Sequence, residues 1–287
     1  MIDLFGTKPA FNYKRKESSK TACGVFATYA FISFTLWSIY HVGNDIFYKQ
    51  NPKAYQNDQF FEDPEPTHIS PDTFNVAFGL QDPNTYAHYI NESIYSVVAT
   101  WRQIKRVTNP ITGNVEMIFN EIPITLERCT PEHFGTLSEK AKALELPNLH
   151  CFRKEDKELL RVQGRFESPY YEYITVDYAP CKNGGSVVCA PQEEINAKLD
   201  GAYFAMYFTD LAIDPQNYTN PEGKFVDSKF TTFGQKYYTE YALFLRHVSV
   251  KSDIGWLFSS IKEQNYVTFD KIHADVDFRE PTTFFRF

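Results

Sequence analysis

The chain carries two hydrophobic patterns in succession. From Thr21 to Asn44 no side chain has a formal charge. A helix of that length rises about 36 Å, enough to cross the roughly 30 Å hydrocarbon core of a bilayer with some tilt. Thr21 to Gly43 is therefore expected to be a transmembrane helix. Thr28, Ser33, Thr35 and Ser38 interrupt its apolar character, so the competing expectation is a buried helix of a soluble domain. A cleaved signal peptide fits less well, since its apolar region spans about 7 to 15 residues and lies nearer the chain start. Trp37, Tyr40 and His41 fall late in the segment, where amphipathic rings favour the membrane interface.

Further along, the hydrophobic period shortens to that of strands. "SIYSVVATWRQIKRV" alternates, "TNPITGN" turns the chain, and "VEMIFNEIPITLER" places Val115, Met117 and Phe119 on one face, which predicts a long hairpin. "LLRVQGRF", "YYEYITVDYA", "GAYFAMYFTDLAI", "KYYTEYALFLRHVSV" and "NYVTFDKIHADVDF" read as further strands, rich in β-branched and aromatic residues. Two short helices are expected, Ser138 to Leu146 and Pro191 to Leu199, the second opened by Pro191, Glu193 and Glu194, which suit a helix start. Residues 44–72, with Pro52, Pro64, Pro66 and Pro71, read as an extended connector. Residues 73–287 are then one β-sandwich-like domain, large enough to bury a proper core. The fold class expected is mainly β: a single N-terminal transmembrane helix, a connector, and a disulfide-stapled β-rich domain.

Charge orients this arrangement. Lys8, Lys14, Arg15, Lys16 and Lys20 precede the apolar segment against Asp3 and Glu17, whereas Asp45, Asp58, Glu62, Asp63 and Glu65 follow it with Lys49 and Lys53. The positive-inside rule keeps residues 1–20 in the cytoplasm, or in the matrix if the membrane is mitochondrial, with the β-rich domain on the other side. A net charge of −7 and this asymmetry leave no basic stripe to neutralise phosphates, which argues against nucleic acid as a partner.

On a helical wheel Gly24, Ala27, Thr28, Thr35 and Ser38 gather on one side with Phe31 among them. Small and hydroxyl residues let a second helix approach closely in lipid, so Gly24, Thr28, Thr35 and Ser38 are candidate packing residues for another membrane subunit. Alternatively the hydroxyls bond only the carbonyls of their own helix.

Of five cysteines, Cys23 lies inside the span as an apolar filler. Cys129, Cys151, Cys181 and Cys189 fall on the far side, and an even number in an oxidising compartment points to two disulfides. Neighbours are the preferred pairing, Cys129 with Cys151 and Cys181 with Cys189, the latter closing the Gly-rich "KNGGSVV". His150 beside Cys151 is the one hint of metal, and no C-x-x-C or H-x-x-x-H spacing supports it. Asp210 with Asp214, and Asp275 with Asp277, could hold a hard cation but read as solvated acids. No phosphate-cradling loop and no nucleophile with a base beside it is visible. The reading is a protein that is not an enzyme and needs no cofactor or metal.

"IDLFGTKPAFNYKRKESSKTACGVFATYAFISF", "NPKAY", the block from "LHCFRKEDKELLRVQGRF" through "CKNGGSVVCAPQEEINAKLDGAYFAMYFTDLAID", and "KSDIGWLF" resemble a large family of ciliate transmembrane proteins. The resemblance covers most of the chain and is most specific in the middle block. It implies a cytoplasmic start, a first span and a Cys-containing β-rich domain, and no particular chemistry. The opening also resembles, more weakly, the ER-to-Golgi cargo receptors, which have an N-terminal span, a lumenal β domain and a C-terminal span. Both patterns lead one to expect a second span, and this sequence ends at "REPTTFFRF" without one, as a shortened member or an incomplete sequence.

Three functional classes follow. The first is an accessory or structural subunit of a larger membrane complex, such as a ciliate mitochondrial respiratory complex with the β domain in the intermembrane space. The second is a glycoprotein of the secretory route or cell surface, acting as receptor or cargo adaptor. Asn91-Glu92-Ser93 and Asn217-Tyr218-Thr219 are its glycosylation sequons. The third, a ligand-gated channel, needs a second span to line a pore. The partners expected are the lipid bilayer and other membrane-protein subunits, met through the helix and the β domain.

Overall fold

The computed structural model of the chain describes residues 21–48, 53–111, 113–184, 187–217, 219–233, 238–255, 258–277 and 283–286. The basic tail over residues 1–20 lies outside the described residues. Helix α1 covers Ala22–Tyr48. It starts where expected because Thr21 caps it: the Thr21 hydroxyl accepts from the Gly24 N–H at 3.1 Å, satisfying one of the orphan donors of the first turn. It continues past Gly43 because no proline interrupts the chain before Pro52.

The strands are, in chain order, β1 (Thr67–His68), β2 (Val76–Gln81), β3 (His88–Tyr89), β4 (Tyr95–Thr108), β5 (Val115–Ile124), β6 (Leu126–Arg128) and β7 (His150–Phe152). They continue with β8 (Arg161–Val162), β9 (Tyr170–Pro180), β10 (Tyr203–Ile213), β11 (Glu222–Thr232), β12 (Tyr238–Asp253), β13 (Ile261–Asp277) and β14 (Thr283–Arg286). Helix α2 is Ser138–Ala141 and helix α3 is Gln192–Leu199. One sheet runs β11-β10-β2-β7-β6 with β3 beside β2; the other runs β13-β12-β14-β9-β4-β5; β1 and β8 form a separate pair.

The chain divides into two compact units. One comprises the residues through Gln56 with Asp214–Pro221 and Asp253–Ile261; the other comprises Asn57–Ile213, Glu222–Ser252 and Lys262–Phe287. In the first, the Asp253 carboxylate holds the second short segment in a tight turn, accepting from Gly255 N at 3.0 Å and Ser260 N at 2.9 Å.

In the second unit the two six-stranded sheets share a core, as a mainly β, sandwich-like fold requires. Val76, Phe78 and Leu80 of β2 and Phe204, Met206 and Phe208 of β10 meet Trp101, Ile174, Val176 and Tyr178 of the other sheet. Tyr178 meets Phe204 edge-on at 5.4 Å. The alternate residues Ala77, Ala205 and Tyr207 face the opposite way, into a smaller cluster with Phe134, Leu137, Ala141 and the Cys129 and Cys151 pair. β2 and β10 are thus buried on both faces, which is why "VAFGL" and "YFAMYF" read as unbroken apolar runs.

Several expectations differ at their edges. The connector ends earlier than residue 72: β1 pairs with β8, Thr67 opposite Val162, and Ile69 is buried. The helix expected over Ser138 to Leu146 is only the single turn α2, preceded by a 3₁₀ segment at Pro131–Leu137 and followed by another at Leu146–Asn148. Burial of Leu146 and Leu149 turns the chain inward. "LLRVQGRF" yields only the two-residue β8. Gly164 takes φ 68°, and a Cβ there would sit 2.3 Å from the Tyr170 carbonyl oxygen, so the chain must turn where a strand was expected.

Candidate functional site

α1 is the first candidate. Its stretch Ala22–Asn44 contains an 18-residue run of mean hydropathy 1.5 in which 6 % of the residues are buried, long and apolar enough to cross a membrane. Phe26, Phe34, Leu36, Trp37, Tyr40 and Val42 are each more than half exposed. Near its end, Trp37 lies 4.7 Å from His41, and Tyr40 meets the same ring edge-on, the kind of ring group that suits an interface. The four packing residues behave differently from these. Thr28 is 1 % exposed, and Gly24, Thr35 and Ser38 are half-buried. The Thr28 hydroxyl donates to Gly24 O at 2.8 Å and the Thr35 hydroxyl to Phe31 O at 2.9 Å, so both are satisfied by their own helix. What this face presents is small volume, not unmet polar groups.

The cysteines pair as neighbours. Cys129 is bonded to Cys151 and Cys181 to Cys189, while Cys23 is free and exposed. The first bridge joins the end of β6 to β7 inside the smaller core; the second closes the loop ahead of α3.

Of the acidic pairs, the side chain of Asp277 lies outside the described residues. Asp210 accepts from Leu211 N at 2.9 Å and from Phe269 N at 3.3 Å, so it is held by backbone donors. Among the described residues no cluster of three His, Cys, Asp or Glu is placed to hold a metal. Both sequons stand in turns. The Asn91 side-chain oxygen accepts from Ser93 Oγ at 2.7 Å, and the Asn217 oxygen from Thr219 Oγ1 at 3.1 Å, with both asparagines exposed.

The buried polar groups that sequence reasoning missed are networks between strands. His88 binds Glu145 through Nδ1 at 3.1 Å, and its Nε2 lies 3.2 Å from the Tyr207 hydroxyl. Burial pushes the Tyr207 phenol up, and the backbone and ring of His88 hold the Glu145 carboxyl below its usual range. Glu172, buried in β9, faces Arg161 Nε at 2.7 Å and accepts from Gln103 Nε2 at 2.6 Å. Arg161 also lies over the Trp101 ring at 5.2 Å. A relay such as Tyr207–His88–Glu145 is ordered like a catalytic one, yet Tyr207 and His88 are sealed from solvent and line neither cavity described next.

Two cavities of about 280 and 260 Å³ lie on either side of Thr67 and His247, whose side chains touch and line both. The first adds His68, Asp72, Asp210 and Lys224; the second adds Phe60, Arg165 and Arg246. Asp72 contributes its backbone carbonyl to Lys224 at 3.2 Å, and Arg246 is engaged by Asp270 and Asp58. Lys224 and Arg246 are thereby engaged within the fold, and the Thr67 hydroxyl beside the His247 imidazole is the one hydroxyl–base contact that the two cavities share among the described residues.

A further exposed apolar feature of the domain is β5. It pairs with β4 from Val115 opposite Thr108 to Ile124 opposite Ala99, and it ends its sheet. Val115, Met117, Ile118 and Phe119 are all at least half exposed. The alternation read from the sequence is therefore present, but the face it marks points to solvent.

A family model described as "Uncharacterised 80 kDa protein N-terminal domain" matches residues 77–287. The match begins within β2 and takes in nearly the whole β-rich domain, with α1 outside it. No curated protein and no solved structure matches the chain. The chain belongs to the family of the uncharacterised 80 kDa protein N-terminal domain.

Proposed function

We propose that this member of the 80 kDa protein N-terminal domain family is a noncatalytic, single-pass membrane protein that serves as an accessory subunit of a larger membrane assembly. The observation that carries the reading is α1, a 23-residue apolar stretch almost wholly unburied, joined in one chain to a domain with two disulfides. An exposed apolar surface of that length finds its solvent in lipid, and disulfides belong to an oxidising compartment. The basic residues 8–20 then stay on the cytoplasmic or matrix side. The finer placement is the mitochondrial inner membrane, with the β-rich domain in the intermembrane space beside respiratory subunits, following the resemblance to ciliate membrane proteins. The small face of Gly24, Thr28, Thr35 and Ser38 is where a neighbouring helix would seat.

Protease added to sealed vesicles that expose the β-rich domain should leave only α1 and the tail protected, and blue-native electrophoresis should place the chain in a large complex. Replacing Gly24 and Thr28 with Leu should weaken that association while both disulfides still form. A chain extracted by carbonate washing, or a domain resistant to protease on that side, refutes the topology.

The exposed sequons favour a second reading, a glycoprotein of the secretory route acting as receptor or cargo adaptor. A mobility shift on glycosidase treatment that is lost in Asn91→Gln or Asn217→Gln selects it and excludes mitochondria. No shift, with microscopy on mitochondria, selects the first.

A further inference from the structure

Sheet edges are normally guarded, because a row of unpaired N–H and C=O groups recruits other strands. Three edges here are. β11 carries Lys224 and Lys229, β13 carries Lys262 and Lys271, and β6 is only three residues long. β5 is less guarded: it is ten residues long without Lys or Arg, its only charges are Glu116 and Glu121, Pro123 stands near its end, and large apolar side chains are exposed along it.

Which of its backbone groups point outward follows from the hairpin. Asn109 N donates to Asn114 O at 2.8 Å and Gly113 N donates to Asn109 O at 2.9 Å, with Gly113 at φ 71°. This is a bulge in which Gly113 takes the left-handed position. Hydrogen-bonded pairs then alternate from that point, so Val107–Glu116, Lys105–Ile118 and Gln103–Asn120 exchange bonds across β4 and β5. On the far side of β4, Arg106 N donates to Pro169 O at 2.9 Å, as the same alternation requires. Val115, Met117, Phe119 and Glu121 therefore aim their backbone groups at the open edge. Pro123 belongs to the same set, where its missing N–H costs the β4 ladder nothing.

We propose that β5 is a homodimer interface, two copies of the chain joining antiparallel through this edge into one continuous sheet. The occupant is a second copy because the strand is complementary to itself. Outward residues must oppose outward residues, so opposed residue numbers share parity. Ile118 on Ile118 is the central register that keeps every position from 115 to 121 engaged. Met117 then faces Phe119 twice over, Glu116 faces Asn120, and Glu121 faces Val115, so no two carboxylates oppose each other. Setting Phe119 on itself would bring Pro123 opposite Val115 and lose a bond; setting Met117 on itself shortens the paired stretch. Both carboxylates are already engaged within the chain, Glu121 with Arg102 at 3.5 Å and Glu116 with Asn109 at 3.3 Å, so the edge needs no basic partner. An isologous two-fold contact of this kind closes on itself and does not propagate into fibres.

The test uses the full chain in detergent micelles or nanodiscs. Sedimentation with contrast matching should give two copies per particle, and Met117→Lys with Phe119→Lys, which guards the edge, should give one, with both disulfides intact by peptide mapping. In a Cys23→Ser background, Ile118→Cys should cross-link to itself on mild oxidation. Unbonded antiparallel pairs bring Cα atoms to about 4.5 Å, within disulfide reach, so the rate should exceed that of Asn120→Cys roughly tenfold. Gly24→Leu with Thr28→Leu must leave the pair intact, which separates this contact from the helix contact proposed above. A monomeric native chain, a guarded variant that stays dimeric, or equal cross-linking at residues 118 and 120 overturns the interface.

Discussion

His150 makes the stability of the β-rich domain depend on pH below the ordinary range of a free imidazole. It lies in β7 between Arg128 and Phe78, its ring stacks with Phe78 at 6.4 Å, and its Nε2 is buried with no hydrogen-bond partner among the described residues. Burial first, and the Arg128 charge second, push its pKa down from 6.5 to about 4. The folded state thus holds the ring neutral where the unfolded chain protonates it. The unfolded state binds more protons between those values, so this contribution is fully present above pH 6.5 and is lost as pH falls through 4. The full difference is about 3 kcal/mol, and roughly 2.5 kcal/mol of it has gone by pH 4.5. Asp82, held down to about 2 chiefly by Lys198, loses its contribution only below that range, from 3.8 through 2. Asp177, raised by burial, titrates in the opposite sense. Urea unfolding followed by tryptophan fluorescence at pH 7.5 and 4.5 should show the loss in the native protein and little of it in His150→Gln. If His150→Gln loses as much as the native chain, the buried neutral imidazole is not the cause.

The other expectations concern the frame around it. Replacing both cysteines of the Cys129–Cys151 bridge, which spans 22 residues, should cost about 3.4 kcal/mol, against about 2.5 kcal/mol for Cys181–Cys189 with its span of 8; calorimetry of the two double mutants checks the order. Arg161→Met strands the buried Glu172 carboxylate with Gln103 alone and should cost roughly 3 kcal/mol. Adding Glu172→Leu should recover much of that, and a double mutant no better than the single one refutes the pairing. Gly164→Ala forces a Cβ against the Tyr170 carbonyl at a positive φ and should destabilise by about 2 kcal/mol or more, read as a lower urea midpoint with the spectrum unchanged.

Local pattern carried a large part of this protein. The uncharged run from Thr21 identified α1, and the Thr21 hydroxyl that caps it is a one-turn signal. The β4–β5 hairpin followed from alternation around "NPITGN", and the neighbouring cysteines matched the bridges because short loops bring such pairs together. These features depend on residues close in sequence, so periodicity and turn chemistry are enough to specify them.

Tertiary structure decided the rest. β2 has no alternation because both of its faces are buried, and the pairings that bury it come from β10 and β7, some 70 to 130 residues away. The Arg161–Glu172–Gln103 network and the sealed His150 exist only because β8, β9, β4 and β7 are brought together by the sheets. The fate of β5 is the clearest case. Alternation assigned Val115, Met117 and Phe119 to one face, but whether a face is core or surface depends on which strands lie across it. In this fold no strand pairs beyond β5 among the described residues, and its side chains from Val115 to Glu121 are exposed on both faces, so the stripe lies along an open edge.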